Sequence, residues 1–89
     1  MAERVAYLNG EFVPESELKV HVFDRGFTRG DTVFDVARTF NGKPFRLREH
    51  MERLYRSLTY VRTDPGMSLE EMEQLTLEVL ERNEPLREE

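Results

Sequence analysis

The residue types best suited to chemistry are concentrated in one stretch, residues 23–39, which reads FDRGFTRGDTVFDVART. Aspartates and arginines surround two glycines there and run directly into an alternating hydrophobic pattern. Arginine carries a planar, permanently charged fork of donors that binds a carboxylate or phosphate bidentately. The stretch is therefore suited to binding an anion beside a predicted strand.

Residues 32–40 are predicted to form that strand, so alternate side chains should point to opposite faces. Phe34, Val36 and Arg38 share one face, where an aromatic wall and an anion-binding arginine could line a pocket. In the alternative, which spacing alone favours, Phe34 and Val36 belong to the core and Arg38 pairs with a surface carboxylate. The opposite face carries Val33, Asp35, Ala37 and Thr39.

Polar side chains also follow one flank of a predicted helix, where His50, Arg53 and Ser57 stand at positions i, i+3 and i+7. An arginine on such a flank can leave its aliphatic stem in the core and send its guanidinium into a cleft. The residues alone favour a simpler interpretation, an i,i+4 ion pair of Arg53 with Glu49. His50 is expected to be a packed or capping histidine and not a catalyst.

Other kinds of site are disfavoured. Asp31 and Asp35 would share one face of the strand but lie roughly 13 Å apart, too far for an acid/base dyad. The 89-residue chain has a net charge of −5, which opposes binding to nucleic acid, and it contains no cysteine, which excludes a thiolate metal site. We expect no bound metal. With no signal peptide or membrane span in the sequence, a cytoplasmic protein is expected.

The predicted elements form a single α+β domain over residues 1–89. Asn9-Gly10 and Asn41-Gly42 each predict a hairpin with a type I′ turn, and we expect the two hairpins to build one small antiparallel sheet within residues 5–46. Residues 24–30 should form a loop. Two helices, at about residues 47–62 and 68–83, should pack on the sheet, the second beginning with a capping box from Ser68 to Glu71.

Two longer segments, YLNGEFVPESELKVHVFDRGF and GDTVFDVARTFNGKPFRLREHMERLYRS, resemble the N-terminal small domain of the class IV, or fold type IV, aminotransferases. That family includes branched-chain and D-amino acid aminotransferases. The resemblance extends from Tyr7 to about Asn83. Its most specific parts are the YLNGEFV hairpin, the DRG loop, the GDxVF(D/E) strand and the EHxxRLxxS helix.

The resemblance implies pyridoxal 5′-phosphate as cofactor, with Arg53 contacting its phosphate. It also implies that Phe34, Val36 and Arg38 face the substrate. Arg29 stands where the branched-chain enzymes place an aromatic residue, and its guanidinium is suited to a substrate carboxylate. The alternative for Arg29 is a surface ion pair with Asp31 or Asp24. The DRG loop is expected to form a structural hydrogen-bond network.

The family's Schiff-base lysine belongs to a C-terminal domain, and neither Lys19 nor Lys43 matches its position. We therefore expect the chain to be a partial domain, inactive alone. Its parent would be a homodimeric aminotransferase that moves an amino group between an amino acid or amine and a 2-oxo acid. The alternative is a small stand-alone module without cofactor, which self-associates or binds a partner.

Overall fold

The computed structural model describes residues 3–86, which form a mixed α+β arrangement. Its elements, in chain order, are β1 (Val5–Leu8), β2 (Glu11–Pro14), a 3-10 turn (Glu15–Glu17), α1 (Arg25–Thr28), β3 (Thr39–Phe40), β4 (Lys43–Pro44), α2 (Leu47–Tyr60), α3 (Leu69–Arg82) and a second 3-10 turn (Glu84–Leu86).

Both predicted hairpins are present. β1 pairs antiparallel with β2, and β3 pairs antiparallel with β4. Both residues of each Asn-Gly turn have positive φ, with Asn9 at 48° and Gly10 at 92°, as a type I′ turn requires. The expectation of one shared sheet is wrong, because the hairpins form two separate two-stranded sheets. The second hairpin is only two residues long on each side, and Pro44 has no N–H to donate to a further strand.

The predicted strand over residues 32–40 is also wrong for most of its length, since only Thr39–Phe40 is a strand. Residues 32–38 belong to no sheet among residues 3–86, and a strand exists only where its backbone groups are paired along a neighbouring strand. Partly buried and exposed residues nevertheless alternate along this segment, as the predicted strand required. The partly buried residues are Val33, Asp35, Ala37 and Thr39.

Both predicted helices are confirmed. α2 ends at Tyr60, followed by Val61 as its C-cap. α3 begins with the predicted capping box: the Ser68 hydroxyl accepts from the Glu71 N–H at 3.1 Å, and the Glu71 carboxylate accepts from the Ser68 N–H at 2.9 Å. Within residues 3–86, neither helix nor any other is long and apolar enough to cross a membrane.

The two helices and the first hairpin pack around a small centre. Leu47 and Met51, one turn apart on α2, are the buried apolar residues of the described chain. The Tyr55 hydroxyl donates to the Met67 carbonyl at 2.8 Å and joins α2 to the start of α3. At the other end of α3, the Asn83 amide donates to the Val5 carbonyl at 2.8 Å and accepts from the Val5 N–H at 2.7 Å. Asn83 thereby fixes β1 against α3.

Candidate functional site

Three side chains from two parts of the chain meet beside α2: Asp35, His50 and Arg53, here called the Asp35 cluster. Arg53 Nε donates to Asp35 Oδ2 at 2.7 Å, and Arg53 Nη2 donates to Asp35 Oδ1 at 2.6 Å. His50 Nδ1 lies 2.8 Å from the same Oδ1. The cluster therefore combines a bidentate ion pair with a histidine contact, and charge-assisted bidentate hydrogen bonds are stronger than neutral ones.

Local geometry explains how the cluster forms. His50 and Arg53 are three residues apart on α2, so they lie on the same side of the helix. The β3–β4 hairpin reverses the chain between Asp35 and α2, and Arg46, in the left-handed conformation with φ 53°, leads from the hairpin into the helix. This reversal brings α2 back beside residue 35.

The two members of the ion pair differ sharply in burial. The Asp35 side chain is 6% exposed, whereas the Arg53 side chain is 59% exposed. The Arg53 guanidinium, helped by His50, holds the pKa of the Asp35 carboxyl well below its usual range, although burial opposes this. The same hydrogen bonds raise the pKa of Arg53. The pair is therefore fully charged at neutral pH.

The contacts also fix the tautomer of His50. An ionised carboxylate can only accept, so the 2.8 Å contact requires a proton on His50 Nδ1. Arg53 Nη2 lies 3.1 Å from the same Nδ1, but both atoms are then donors that converge on Asp35 Oδ1. In the neutral ring, Nε2 is the remaining acceptor.

Arg53 pairs with Asp35, so the alternative that paired it with Glu49 is wrong. Asp35 occupies one edge of the guanidinium, formed by Nε and Nη2. The other edge, formed by Nη1 and Nη2, belongs to a side chain that is more than half exposed. A guanidinium held in this way can bind a second anion bidentately, and phosphate fits its donor geometry. The phosphate-binding role of Arg53 stays a prediction.

Phe34, Val36 and Arg38 lie on the exposed side of the same segment. The alternative that placed Phe34 and Val36 in the core is wrong, because these side chains are 84% and 70% exposed. The Arg38 guanidinium lies 5.4 Å from the centre of the Phe40 ring, within the range of a cation–π contact. Since the segment alternates, these three residues face away from Asp35, and their substrate-facing role stays a prediction.

The DRG loop contains a single capped helical turn, α1, where a loop was predicted. The Asp24 carboxylate accepts from the Gly26 N–H at 2.8 Å and caps the turn. A Cβ on Gly26 would lie only 3.0 Å from Asp24 Oδ1 and 3.4 Å from the Thr32 Cβ. A side chain at position 26 would therefore crowd the carboxylate that caps the turn. The loop forms the hydrogen-bond network expected of it.

Arg29 closes this helical turn, with its N–H donating to the Arg25 carbonyl at 2.9 Å. The carboxylates proposed as its surface partners make other contacts: Asp31 pairs with Arg25 at 3.1 Å, and Asp24 caps α1. Over residues 3–86 the Arg29 side chain has no ion pair of its own. Its role toward a substrate carboxylate stays a prediction.

Asp35 is the site residue that sequence reasoning missed, because it was considered from the sequence only as half of an acid/base pair with Asp31. A signal was present. The alternating pattern placed Asp35 on the face that also carries Val33 and Ala37, and a carboxylate held among apolar side chains needs a cationic partner. Arg53, on the flank of the following helix, was the arginine already singled out as reaching into a cleft.

The chain matches the family model of the class IV amino-transferases over residues 32–87, which includes all three residues of the Asp35 cluster. It is 46% identical over 77 residues to a protein of Methanocaldococcus jannaschii named "Putative branched-chain-amino-acid aminotransferase". It is 41% identical over 78 residues to the D-alanine aminotransferase of Staphylococcus aureus strain N315, and 38% identical over 77 residues to that of Staphylococcus haemolyticus.

These matches extend over nearly all of this chain but little of each relative. They cover 86% of the chain for the archaeal protein and 88% for the Staphylococcus aureus enzyme. The same alignments cover 27% and 28% of those two relatives. The chain therefore spans little more than a quarter of the length of the curated relatives that it matches.

Proposed function

The chain belongs to the class IV aminotransferases, and from that membership we propose that it forms the N-terminal part of a pyridoxal 5′-phosphate-dependent aminotransferase. The enzyme would move an amino group between an amino acid or amine and a 2-oxo acid. The single observation that carries the proposal is the Arg53 guanidinium, which Asp35 holds by one edge in a side chain that is 59% exposed. When bound, the cofactor acts as the electron sink that makes this transfer possible.

In this proposal each predicted site residue has a binding role. Arg53 donates hydrogen bonds to the cofactor phosphate, while Phe34, Val36 and Arg38 border the substrate and Arg29 lies at the rim of its pocket. The proposal covers no reaction of the 89 residues alone, because neither Lys19 nor Lys43 stands at the position of the family's covalent lysine. By name, the relatives act on different amino acids, so the proposal names only a substrate class, amino acids with 2-oxo acids. The proposal also includes assembly as a homodimer, which the resemblance to the family implies.

A second candidate, a stand-alone module that associates with itself or a partner, is favoured by the exposed aromatic surface. Phe23, just before α1, is 78% exposed, and Phe27, within α1, is 71% exposed. Phe34 is exposed as well. Apolar surface of this kind is commonly covered in an assembly. In the first candidate this aromatic surface is part of an aminotransferase, and in the second it is the contact surface of a module that has no enzymatic activity.

A segment exchange tests the proposal. The matching 78 residues of the Staphylococcus aureus D-alanine aminotransferase are replaced by those of this chain. The expected product retains pyridoxal 5′-phosphate, measured by its visible absorbance, and transfers amino groups to a 2-oxo acid. A chimera with the parent's oligomeric state and circular dichroism but without bound cofactor would contradict the proposal. If the isolated chain then formed a defined oligomer, the second candidate would be favoured.

A further inference from the structure

We infer that Asp35 is a positioning residue for anion binding: its carboxylate fixes the Arg53 guanidinium so that the free edge is presented to a phosphate group. This inference rests on the proposed function of Arg53 as the phosphate ligand. It assigns a role to a residue that does not itself touch the phosphate.

The geometry of the ion pair is the first support. Arginine has five N–H donors in a rigid plane, and Asp35 takes one from Nε and one from Nη2. Three donors remain, two on Nη1 and one on Nη2. One donor from each of these nitrogens points along the opposite edge, with the spacing that bidentate phosphate binding uses. Binding to Asp35 and binding to phosphate are therefore compatible.

The second support is that Asp35 is itself held in place. Its Oδ1 accepts from the Val36 N–H at 2.9 Å and from His50 Nδ1 at 2.8 Å, in addition to Arg53. The Asp35 side chain is 6% exposed and is held by these hydrogen bonds, whereas the Arg53 side chain is 59% exposed. Arginine otherwise loses considerable rotamer freedom when it binds a ligand. Asp35 restricts that freedom before the ligand arrives.

A simpler interpretation makes the opposite prediction. If Asp35 only neutralised the charge of Arg53, its removal would strengthen the attraction for an anion. If Asp35 positions Arg53, removal of the carboxylate weakens binding despite the more positive charge. The sign of the change in phosphate affinity upon Asp35→Asn therefore separates the two interpretations.

The experiment uses the 89-residue chain, with inorganic phosphate and pyridoxine 5′-phosphate as probes; the second probe has no aldehyde that could react with Lys19 or Lys43. Binding and the mobility of Arg53 are followed by NMR on the Arg53 Nε–H resonance. We expect Asp35→Asn to weaken phosphate binding about two- to tenfold, because the arginine side chain is no longer ordered before the ligand binds. The Arg53 Nε–H resonance should then report a more mobile side chain. Asp35→Glu should restore part of the affinity.

The matched control is Asp31→Asn, which removes the same charge four residues earlier, from a carboxylate paired with Arg25. It should leave phosphate affinity unchanged or slightly higher. Equal or tighter binding by Asp35→Asn than by the unaltered chain would overturn the inference, with the role of Arg53 intact. If Arg53→Ala bound phosphate as well as the unaltered chain, the proposed function would fail instead, and the inference with it.

One further variant covers a possible loss of folding. If Asp35→Asn lowers the helical circular dichroism signal, the variant His50→Leu is used in its place. His50→Leu removes one hydrogen-bond donor to Asp35 and leaves both members of the Asp35–Arg53 ion pair present. We expect weaker phosphate binding by about twofold or more. Unchanged affinity in folded His50→Leu protein would then overturn the inference.

Discussion

Asp35 and Arg53 are 18 residues apart in the sequence, yet both carboxylate oxygens of the first accept hydrogen bonds from the guanidinium of the second. Through this pair α2 holds a segment that has no strand partner among residues 3–86. The pair thus has two consequences. It contributes to the stability of the fold, and it sets the orientation of the charged group on which the proposed function depends.

The first prediction concerns acid. Because the pKa of Asp35 is lowered in the folded chain, the ionised form stabilises the fold. This contribution is fully present above the ordinary aspartate pKa of about 4 and is lost as the pH falls toward the lower folded value. We expect Asp35→Asn to remove this part of the acid dependence.

Urea unfolding, followed by circular dichroism at a series of acidic pH values, measures the effect. Asp31→Asn serves as the control, since Asp31 is an exposed carboxylate paired with Arg25. If stability fell with pH as steeply in Asp35→Asn as in the unaltered chain, the assignment of the acid sensitivity to Asp35 would be wrong.

The second prediction compares Arg53→Ala with Arg56→Ala in the segment-exchanged enzyme. Arg56 is exposed on the same helix and carries the same charge, but it is outside the Asp35 cluster. Loss of a charge-assisted contact with phosphate should raise the cofactor dissociation constant of Arg53→Ala at least about tenfold, whereas the constant of Arg56→Ala should resemble that of the parent. Dissociation constants from absorbance titration decide the matter, and equal values for the two variants would refute the role of Arg53.

The third prediction concerns Arg29, whose side chain has no ion pair within residues 3–86. If its guanidinium binds a substrate carboxylate, Arg29→Gln should lower kcat/KM for carboxylate substrates at least about tenfold in the segment-exchanged enzyme. Simple amines should be nearly unaffected. Steady-state kinetics with one substrate of each type provide the measurement. A loss that is equal for both, or no loss, would leave Arg29 with a role in loop architecture only.

The fourth prediction is that the 89-residue chain self-associates. Phe23 and Phe27 expose large apolar side chains close together in sequence, and each hairpin is a sheet of two strands with no third strand among residues 3–86. Phe27→Glu should weaken association, measured by sedimentation. Tyr60→Glu is the control, because Tyr60 is 88% exposed at the end of α2. A strictly monomeric, cooperatively folded chain at high concentration would contradict this prediction.

The features that the sequence predicted correctly are those decided by neighbouring residues. Asn9-Gly10 forms its turn because both residues tolerate positive φ, and Ser68 with Glu71 caps α3 through contacts three residues apart. Residues 32–38 were predicted wrongly because the alternating pattern separates two faces but shows neither which face is buried nor whether a partner strand exists. The pairing of Arg53 with Asp35 was missed although the hairpin that brings them together was predicted, because residue types alone do not specify which of several nearby carboxylates an arginine contacts.

The contact between Asn83 and Val5 also orders the folding of the chain. The hairpins and helices are local and can form early, but the Asn83 amide joins residues 78 positions apart. Closing so long a loop is costly in entropy before any other contact offsets it, so this connection should form last and open first. The Val5 amide hydrogen, which donates to Asn83 Oδ1, should therefore exchange with solvent when β1 separates from α3, whereas we expect the α2 amides to stay protected.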